Sequence, residues 1–202
     1  RLYTPLNLEN EKFNYERDLG FPGEYPFTRG ITPSMYRSNP FIVSVYSGFG
    51  TPRQSNQRYR DILNWGGVDE IAIAADLPTQ LGYDSDHVMS RGEVGRVGVA
   101  IDSLRDMEIL FENIPLNNLK RVSFLGNSFG PIALALMIAL GRKQGLQTSD
   151  YTVNLQNDIL KEYVARGTHI FPIGPALRLS TDVVGYCAEK IPNWYPINIC
   201  SN

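Results

Sequence analysis

Five short apolar runs, each followed by a polar or small residue, recur along this 202-residue chain. Amphipathic segments of helical period separate the runs, and this alternation is typical of a βαβα chain that forms a parallel sheet. In such folds ligands collect at the carboxyl ends of the strands. We therefore expect Tyr46, Asp76, Asn127 and Gln156 to share one face. The predicted strands are Phe41–Tyr46, Glu70–Ala75, Arg121–Gly126, Tyr151–Leu155 and Pro196–Ile199.

The segments between the runs carry apolar residues at helical spacing, which predicts five helices. A long loop over Leu77–Gly98 follows the second run, and its turn residues and apolar side chains favour an ordered loop. The predicted helices are Ser55–Leu63, Leu104–Phe111 after a cap at Asp102 and Ser103, Ile132–Gly145, Ile159–Ala165 and Ser180–Lys190.

The first forty residues differ from the rest because they are rich in proline, glycine and aromatic residues and lack a clear period. We predict that residues 1–40 form an extended arm that wraps over a surface. Residues 41–202 then form the α/β part of the chain.

Composition narrows the classes of function. A net charge of −2 argues against nucleic-acid binding and against a polybasic membrane surface. The longest apolar run, Pro131–Leu140, is far too short to span a bilayer. The only cysteines, Cys187 and Cys200, are expected to be free thiols in a reducing cytoplasm. These features predict a cytoplasmic protein, or a protein of the mitochondrial matrix if the source is eukaryotic.

Isolated polar motifs give weak signals of chemistry. Asp84 and Asp86 are better explained by Asx turns than by a metal site. The glycines of Gly92–Gly98 lack the spacing of a dinucleotide fingerprint and do not directly follow a strand. His87 is expected to bond to the loop backbone, whereas His169 fits a structural role and a pocket role equally well. Without a Cys/His cluster we predict no metal site.

Arg166 is the candidate of most interest on chemical grounds. It follows a helical segment in which Lys161 and Glu162 are expected to form a solvated face. An arginine between a helix and Gly167 can lie on the surface, or it can direct its bidentate fork at a carboxylate. The residues alone leave both possibilities open.

Six strings of sequence resemble the large subunit of methylmalonyl-CoA mutase, and the resemblance runs from about Tyr25 to the end of the chain. Their order matches throughout, so the chain is identified as a member of that family. The strings are Tyr25–Gly30, Gly48–Thr51, Asp76–His87, Gly92–Gly95, Gly98–Ser103 and Gln156–Glu162.

The resemblance implies a partial (β/α)8 TIM barrel, of which this chain supplies about the first five strands, with acyl-CoA along the barrel axis. It implies an isomerase that uses adenosylcobalamin to rearrange a carbon skeleton by a radical mechanism. The cobalamin-binding domain is absent from these residues. The expected partners are therefore a cobalamin-binding domain or subunit and the remainder of the barrel, or a second subunit.

The resemblance also implies roles for particular residues. Tyr46 corresponds to the active-site tyrosine that contacts substrate and the adenosyl group. Arg166 corresponds to the arginine that pairs with the free carboxylate of methylmalonyl-CoA or succinyl-CoA, and Gln156 to a glutamine near the thioester. Further pocket or CoA-channel positions are Ser34, Met35, Ser123 and Asn127.

Several positions depart from the family pattern. Asn39 and Ser44 replace arginines that grip CoA, and Ala75 replaces a phenylalanine beside the substrate, which predicts a wider pocket. Asn202 replaces a second active-site tyrosine, and the catalytic histidine of the family falls just beyond it. Threonines of the channel are replaced by Ile42, Leu125 and Asn154.

These features predict the substrate-binding part of a mutase for a carboxylated acyl-CoA, inactive without the rest of the barrel and the cobalamin-binding domain. One alternative is a non-catalytic structural subunit, suggested by the replaced CoA arginines. Another is a mutase for a different acyl thioester, suggested by Ala75. Since five strands cannot close a barrel, we expect the isolated chain to dimerise, aggregate or require its partner.

Overall fold

A computed structural model describes residues 4–8, 12–38 and 40–200. The chain divides into two compact units, Arg1–Phe41 and Ile42–Asn202. The first unit contains the helix α1 (Tyr15–Asp18) and two 3-10 turns, Pro5–Leu8 and Met35–Arg37. Its described residues form no strand. That this segment is an extended arm stays a prediction.

The second unit is built on a sheet of four parallel strands in the order β1-β2-β3-β4. Sheet order follows chain order, so the predicted α/β class is confirmed. The arrangement is compatible with the first part of a TIM barrel, whereas a barrel itself stays a prediction. The strands are β1 (Ser44–Ser47), β2 (Glu70–Ile73), β3 (Arg121–Leu125) and β4 (Val153–Gln156).

Helices connect successive strands of the sheet. They are α2 (Pro52–Trp65), α3 (Leu77–Leu81), α4 (Leu104–Leu110), α5 (Gly130–Lys143), α6 (Ile159–Lys161) and α7 (Ile173–Lys190). The four longest pack side by side in chain order: α2 on α4, α4 on α5, and α5 on α7. None of the described helices is long and apolar enough to cross a membrane.

Local capping chemistry explains why α2 begins earlier than the apolar period predicts. The Thr51 hydroxyl accepts a bond from Gln54 N, and Gln54 Oε1 accepts a bond from Thr51 N at 2.9 Å, so α2 begins at Pro52. Proline suits this first position because its missing N–H has no helical partner there. Helix α7 begins at Ile173 rather than Ser180, with Pro175 in its first turn.

The core lies between the sheet and the helices. One residue in two along the strands faces the helices, and these residues are apolar and almost completely buried. Tyr59 of α2, Phe111 at the end of α4 and Met137 of α5 pack against them in one cluster. The strand residues concerned are Ile71, Ile73, Val122, Phe124, Val153 and Leu155.

Two strand predictions are corrected by the structure. Strand β1 begins at Ser44 rather than Phe41, and Phe41 is 73% exposed. The fifth run, Pro196–Ile199, forms no strand. Tyr195 N donates to Val153 O at 2.9 Å and Leu155 N donates to Tyr195 O at 2.8 Å, which makes one parallel bridge to β4. The pairing of this segment with β4 is limited to that single bridge.

The loop after β2 carries the short helix α3 and a 3-10 turn, Val88–Ser90. Asp76 at its start is completely buried. One carboxylate oxygen accepts a bond from Thr79 N at 3.0 Å, and the other accepts a bond from Gly95 N at 2.7 Å. Asp76 therefore caps α3 and closes the loop, and the expectation that it lies on the ligand-facing surface is wrong.

Candidate functional site

The sheet face opposite the helices forms a groove of about 290 Å³. Of the predicted site residues, Tyr46, Ser123 and Gln156 line it. Register explains their meeting, because Tyr46 pairs with Ala72, Ala72 with Ser123, and Leu125 with Gln156. Further lining residues are Ser44, Glu70, Ala72, Arg121, Leu125 and Asn154.

A chain of polar side chains crosses three strands in this groove. Arg121 Nε donates to Glu70 Oε2 at 2.7 Å, and Arg121 Nη2 lies 2.5 Å from the same oxygen. Ser123 donates to Glu70 Oε1 and accepts a bond from Asn154 Nδ2 at 3.0 Å. Glu70 is 2% exposed, so its charge is compensated by these partners rather than by water. Ser123 thus holds a buried ion pair in place.

Sequence reasoning missed Glu70 and Arg121 as members of the site, although a signal was present. Each residue opens an apolar run, and the two stand at the same register position of neighbouring strands. Opposite charges at the first positions of two buried parallel strands indicate a pair on one face.

Tyr46 projects from β1 and is 58% exposed. Partial burial of the phenol raises the pKa of Tyr46, and the positive charge of Arg166 lowers it by a smaller amount. The charge of Arg166 thus acts on the phenol in the direction that favours its ionised form.

The Gln156 amide is fixed by two contacts at the end of β4. Its Nε2 donates to Cys200 Sγ at 2.8 Å, and its Oε1 accepts a bond from Lys161 Nζ at 2.8 Å. Both cysteines carry free thiols, as predicted. The expectation that Lys161 and Glu162 form a solvated face is wrong, because Lys161 binds Gln156 and Glu162 has no exposed surface.

Asn127 follows β3 and is 2% exposed. Its backbone adopts a φ of 40°, in the left-handed region that is uncommon for residues other than glycine. Asn127 Nδ2 donates to Glu162 Oε1 at 2.5 Å, whereas Asn127 Oδ1 has no hydrogen-bond partner among the described residues. Asn127 therefore belongs to a buried cluster with Glu162.

Arg166 ends a π turn, Glu162–Arg166, that continues α6. The sequence predicted a regular helix here. Gly167 N instead donates to Glu162 O at 2.6 Å, and Gly167 ends the turn with a φ of 82°. The Arg166 side chain is 34% exposed, and its Nη1 lies 3.7 Å from Glu162 Oε1.

Within the second unit, Ala75 does not line the groove. Ala75 is completely buried in the core and bridges Val99, so the wider pocket proposed there stays a prediction. Ser34 and Met35 belong to the first unit, where Met35 N donates to Thr32 Oγ1 at 3.1 Å. The replaced positions Asn39 and Asn202 lie outside the described residues, and Ile42 is 37% exposed.

The two histidines of the chain have local partners. His87 Nδ1 accepts a bond from Met89 N at 3.2 Å, as expected of a loop histidine, and its ring stacks on Tyr83 at 4.6 Å. His169 stacks on Tyr163 at 4.6 Å. Within residues 4–8, 12–38 and 40–200, no three His, Cys, Asp or Glu residues are grouped to hold a metal ion.

The site thus offers a phenol, a cation with free donors and oriented amides at the carboxyl ends of the strands. An arginine fork beside such groups suits a carboxylate, since a guanidinium binds a carboxylate with two parallel bonds. The same end of a parallel sheet is where ligands bind in α/β folds.

The sequence of this chain is similar to those of known proteins. The sequence profile of the family described as methylmalonyl-CoA mutase matches residues 1–202. The large subunit of 2-hydroxyisobutanoyl-CoA mutase from Aquincola tertiaricarbonis is 43% identical over 199 residues, which is 98% of this chain and 34% of that protein. Methylmalonyl-CoA mutase from Cereibacter sphaeroides is 41% identical over 195 residues, 96% of this chain and 27% of the relative.

Ethylmalonyl-CoA mutase from Methylorubrum extorquens is 44% identical over 165 residues, 82% of this chain and 24% of that protein. The chain therefore spans about a third or less of the length of the curated relatives it matches. All three relatives are named as mutases of acyl-CoA thioesters.

Proposed function

We propose, since the chain belongs to the methylmalonyl-CoA mutase family, that it forms the substrate-binding part of a mutase acting on a carboxylated acyl-CoA. The observation that carries the proposal is the partly exposed guanidinium of Arg166. The Arg166 guanidinium is one third exposed, and none of its N–H groups is used in a hydrogen bond among the described residues. Its donors remain free for a substrate carboxylate.

The roles follow from the placement of each group. Arg166 holds the free carboxylate of a methylmalonyl-CoA or succinyl-CoA type of substrate by a bidentate ion pair. The Gln156 amide, oriented by Lys161, lies near the thioester, and Tyr46 covers the reacting carbons. Asn127 and Ser123 support the walls of this pocket, to which Ala75, Ser34 and Met35 are also assigned.

The exposed ring of Tyr46 at the carboxyl end of β1 also suits contact with a flat base such as the adenosyl group of adenosylcobalamin. When bound, that cofactor supplies the radical chemistry, and the chain binds and orients substrate. We assign the remaining contacts of the cofactor to a cobalamin-binding domain or subunit. We assign barrel closure to further strands that pair with β1 and β4, and the free thiols of Cys187 and Cys200 fit a reducing compartment such as the cytoplasm.

The experiment uses the complete enzyme, adenosylcobalamin and methylmalonyl-CoA. We expect succinyl-CoA by chromatography and a cob(II)alamin absorption band on substrate addition. Tyr46→Phe should slow turnover with little effect on substrate binding, whereas Arg166→Ala should weaken binding. The absence of a cob(II)alamin signal with every acyl-CoA tested would overturn the proposal and favour a structural subunit.

A mutase for a different acyl thioester is the second candidate. The Glu70–Arg121 pair and Leu125 occupy the groove face, and one relative is named for 2-hydroxyisobutanoyl-CoA. A panel containing methylmalonyl-CoA, ethylmalonyl-CoA and 2-hydroxyisobutanoyl-CoA separates the two candidates. Faster turnover of a substrate without a free carboxylate would favour the second.

A further inference from the structure

Glu162 is a buried carboxylate that joins separate segments of the second unit. It has no exposed surface, and each of its oxygens is engaged. Oε1 accepts a bond from Asn127 Nδ2 at 2.5 Å. Oε2 accepts bonds from the Thr168 hydroxyl and from Thr168 N, the latter at 3.3 Å. A carboxylate held this way cannot rotate, so its charge has a fixed position.

The contact between Glu162 and Arg166 differs from these bonds. Arg166 Nη1 lies 3.7 Å from Glu162 Oε1, which is an ion-pair distance but too long for a hydrogen bond. The buried charge therefore attracts the guanidinium without using its N–H groups. The fork of Arg166 is restrained on one side and open on the other, where the side chain is exposed.

The π turn sets this geometry. Glu162 and Arg166 are the first and last residues of the turn, and Gly167 N bonds to Glu162 O across five residues. π turns are rare and are frequent at functional sites. Here the turn brings the anchoring carboxylate and the cation to within 3.7 Å of each other.

Asn127 gives an independent indication of a ligand beside this cluster. Because its Nδ2 donates to Glu162, the amide orientation is fixed, and a flipped amide would place two acceptor oxygens together. Its Oδ1 is buried and has no partner among the described residues. Buried acceptors without partners are uncommon, and such atoms in native proteins call for an explanation such as a bound ligand.

We propose that Glu162 is the positioning residue of the carboxylate site: it anchors the Arg166 guanidinium and the Asn127 amide toward the substrate. Arg166 then bridges two carboxylates, the fixed one of Glu162 and the incoming one of the substrate. This inference rests on the proposed function of Arg166. It assigns no contact between Glu162 and the substrate itself.

The test measures binding rather than turnover, by calorimetry on the complete protein. The ligands are methylmalonyl-CoA and isobutyryl-CoA, which share a branched skeleton and differ by a carboxylate in place of a methyl group. For Glu162→Gln we expect about tenfold weaker binding of methylmalonyl-CoA and unchanged binding of isobutyryl-CoA. Glu189→Gln, which changes an exposed glutamate of α7, is the matched control and should leave both constants unchanged.

Three outcomes would overturn the inference. Equal weakening of both ligands would indicate a purely structural role, and tighter binding of methylmalonyl-CoA would mean that Glu162 competes with the substrate for Arg166. The third concerns the double variant: because Glu162 acts through Arg166, Glu162→Gln should cause no further loss of selectivity once Arg166 is replaced by alanine. A further loss in the Arg166→Ala background would therefore overturn the inference.

A second variant keeps the test decisive if Glu162→Gln does not fold. Thr168→Val removes one donor to Glu162 but keeps the charge, and we expect about threefold weaker binding of methylmalonyl-CoA alone. Unchanged selectivity in this variant would overturn the inference. Failure of the proposed function gives a different result: the unmodified protein would then bind methylmalonyl-CoA and isobutyryl-CoA equally well.

Discussion

The buried ion pair between Glu70 and Arg121 should contribute strongly to the stability of the sheet. Glu70→Gln keeps the volume and leaves Ser123 an acceptor, but it removes the charge that faces Arg121. Breaking a buried pair by removing one partner costs about 3–5 kcal/mol. Because the Arg121 side chain is 27% exposed, water can solvate part of its charge. We therefore expect Glu70→Gln to lower the free energy of unfolding by about 3 kcal/mol, the lower end of this range.

Urea unfolding of the complete protein, followed by circular dichroism at pH 7, measures this loss. A loss of about 3 kcal/mol lowers the equilibrium constant for folding by about 100-fold. Glu112→Gln is the matched control, because it removes an exposed pair with Arg53 at 3.4 Å and should cost about 0–1 kcal/mol. A loss for Glu70→Gln no larger than that of the control would refute the reasoning.

Two further predictions concern packing and ionisation. A Cβ on Gly98 would overlap the backbone carbonyl of Ala75, so Gly98→Ala should lower the melting temperature of the protein. Gly185 lies in α7 with open space around it, so Gly185→Ala should raise the free energy of unfolding by about 0.5–1 kcal/mol. Equal melting temperatures of the two variants would contradict this prediction. Arg166→Met removes the cation that lowers the pKa of Tyr46, so the Tyr46 pKa should rise further in a ¹³C NMR titration. An unchanged or lower pKa would contradict a charge effect of Arg166 on the phenol.

The parallel sheet was predictable because a buried strand needs a continuous apolar run and its connecting helix needs an amphipathic face. Four of the five runs form strands, although their ends shift by one to three residues. The fifth run makes only one bridge to β4, through Tyr195, rather than a strand. A hydrophobic pattern records burial and carries little information about which backbone groups find partners.

Site residues could be predicted from the sequence only where they stand at the carboxyl end of a predicted strand. Tyr46 and Gln156 were found in this way, whereas Glu162 was assigned to solvent because its neighbours in the sequence are charged or polar. Its burial depends on Asn127, which lies 35 residues earlier. The prediction for Asp76 was wrong for a related reason. Its carboxylate oxygens accept hydrogen bonds from backbone N–H groups that come together only in the folded loop.

The central claim is that Arg166 recognises a free carboxylate on the acyl group. The direct test is the ratio of dissociation constants for methylmalonyl-CoA and isobutyryl-CoA, measured on the complete unmodified protein, on Arg166→Ala and on the exposed control Arg178→Ala. A hydrogen-bonded charged group contributes about 1.5–3 kcal/mol, or about 10- to 150-fold in affinity. We predict that the unmodified protein and Arg178→Ala prefer methylmalonyl-CoA by such a factor and that Arg166→Ala loses the preference; equal ratios in all three proteins would contradict the account.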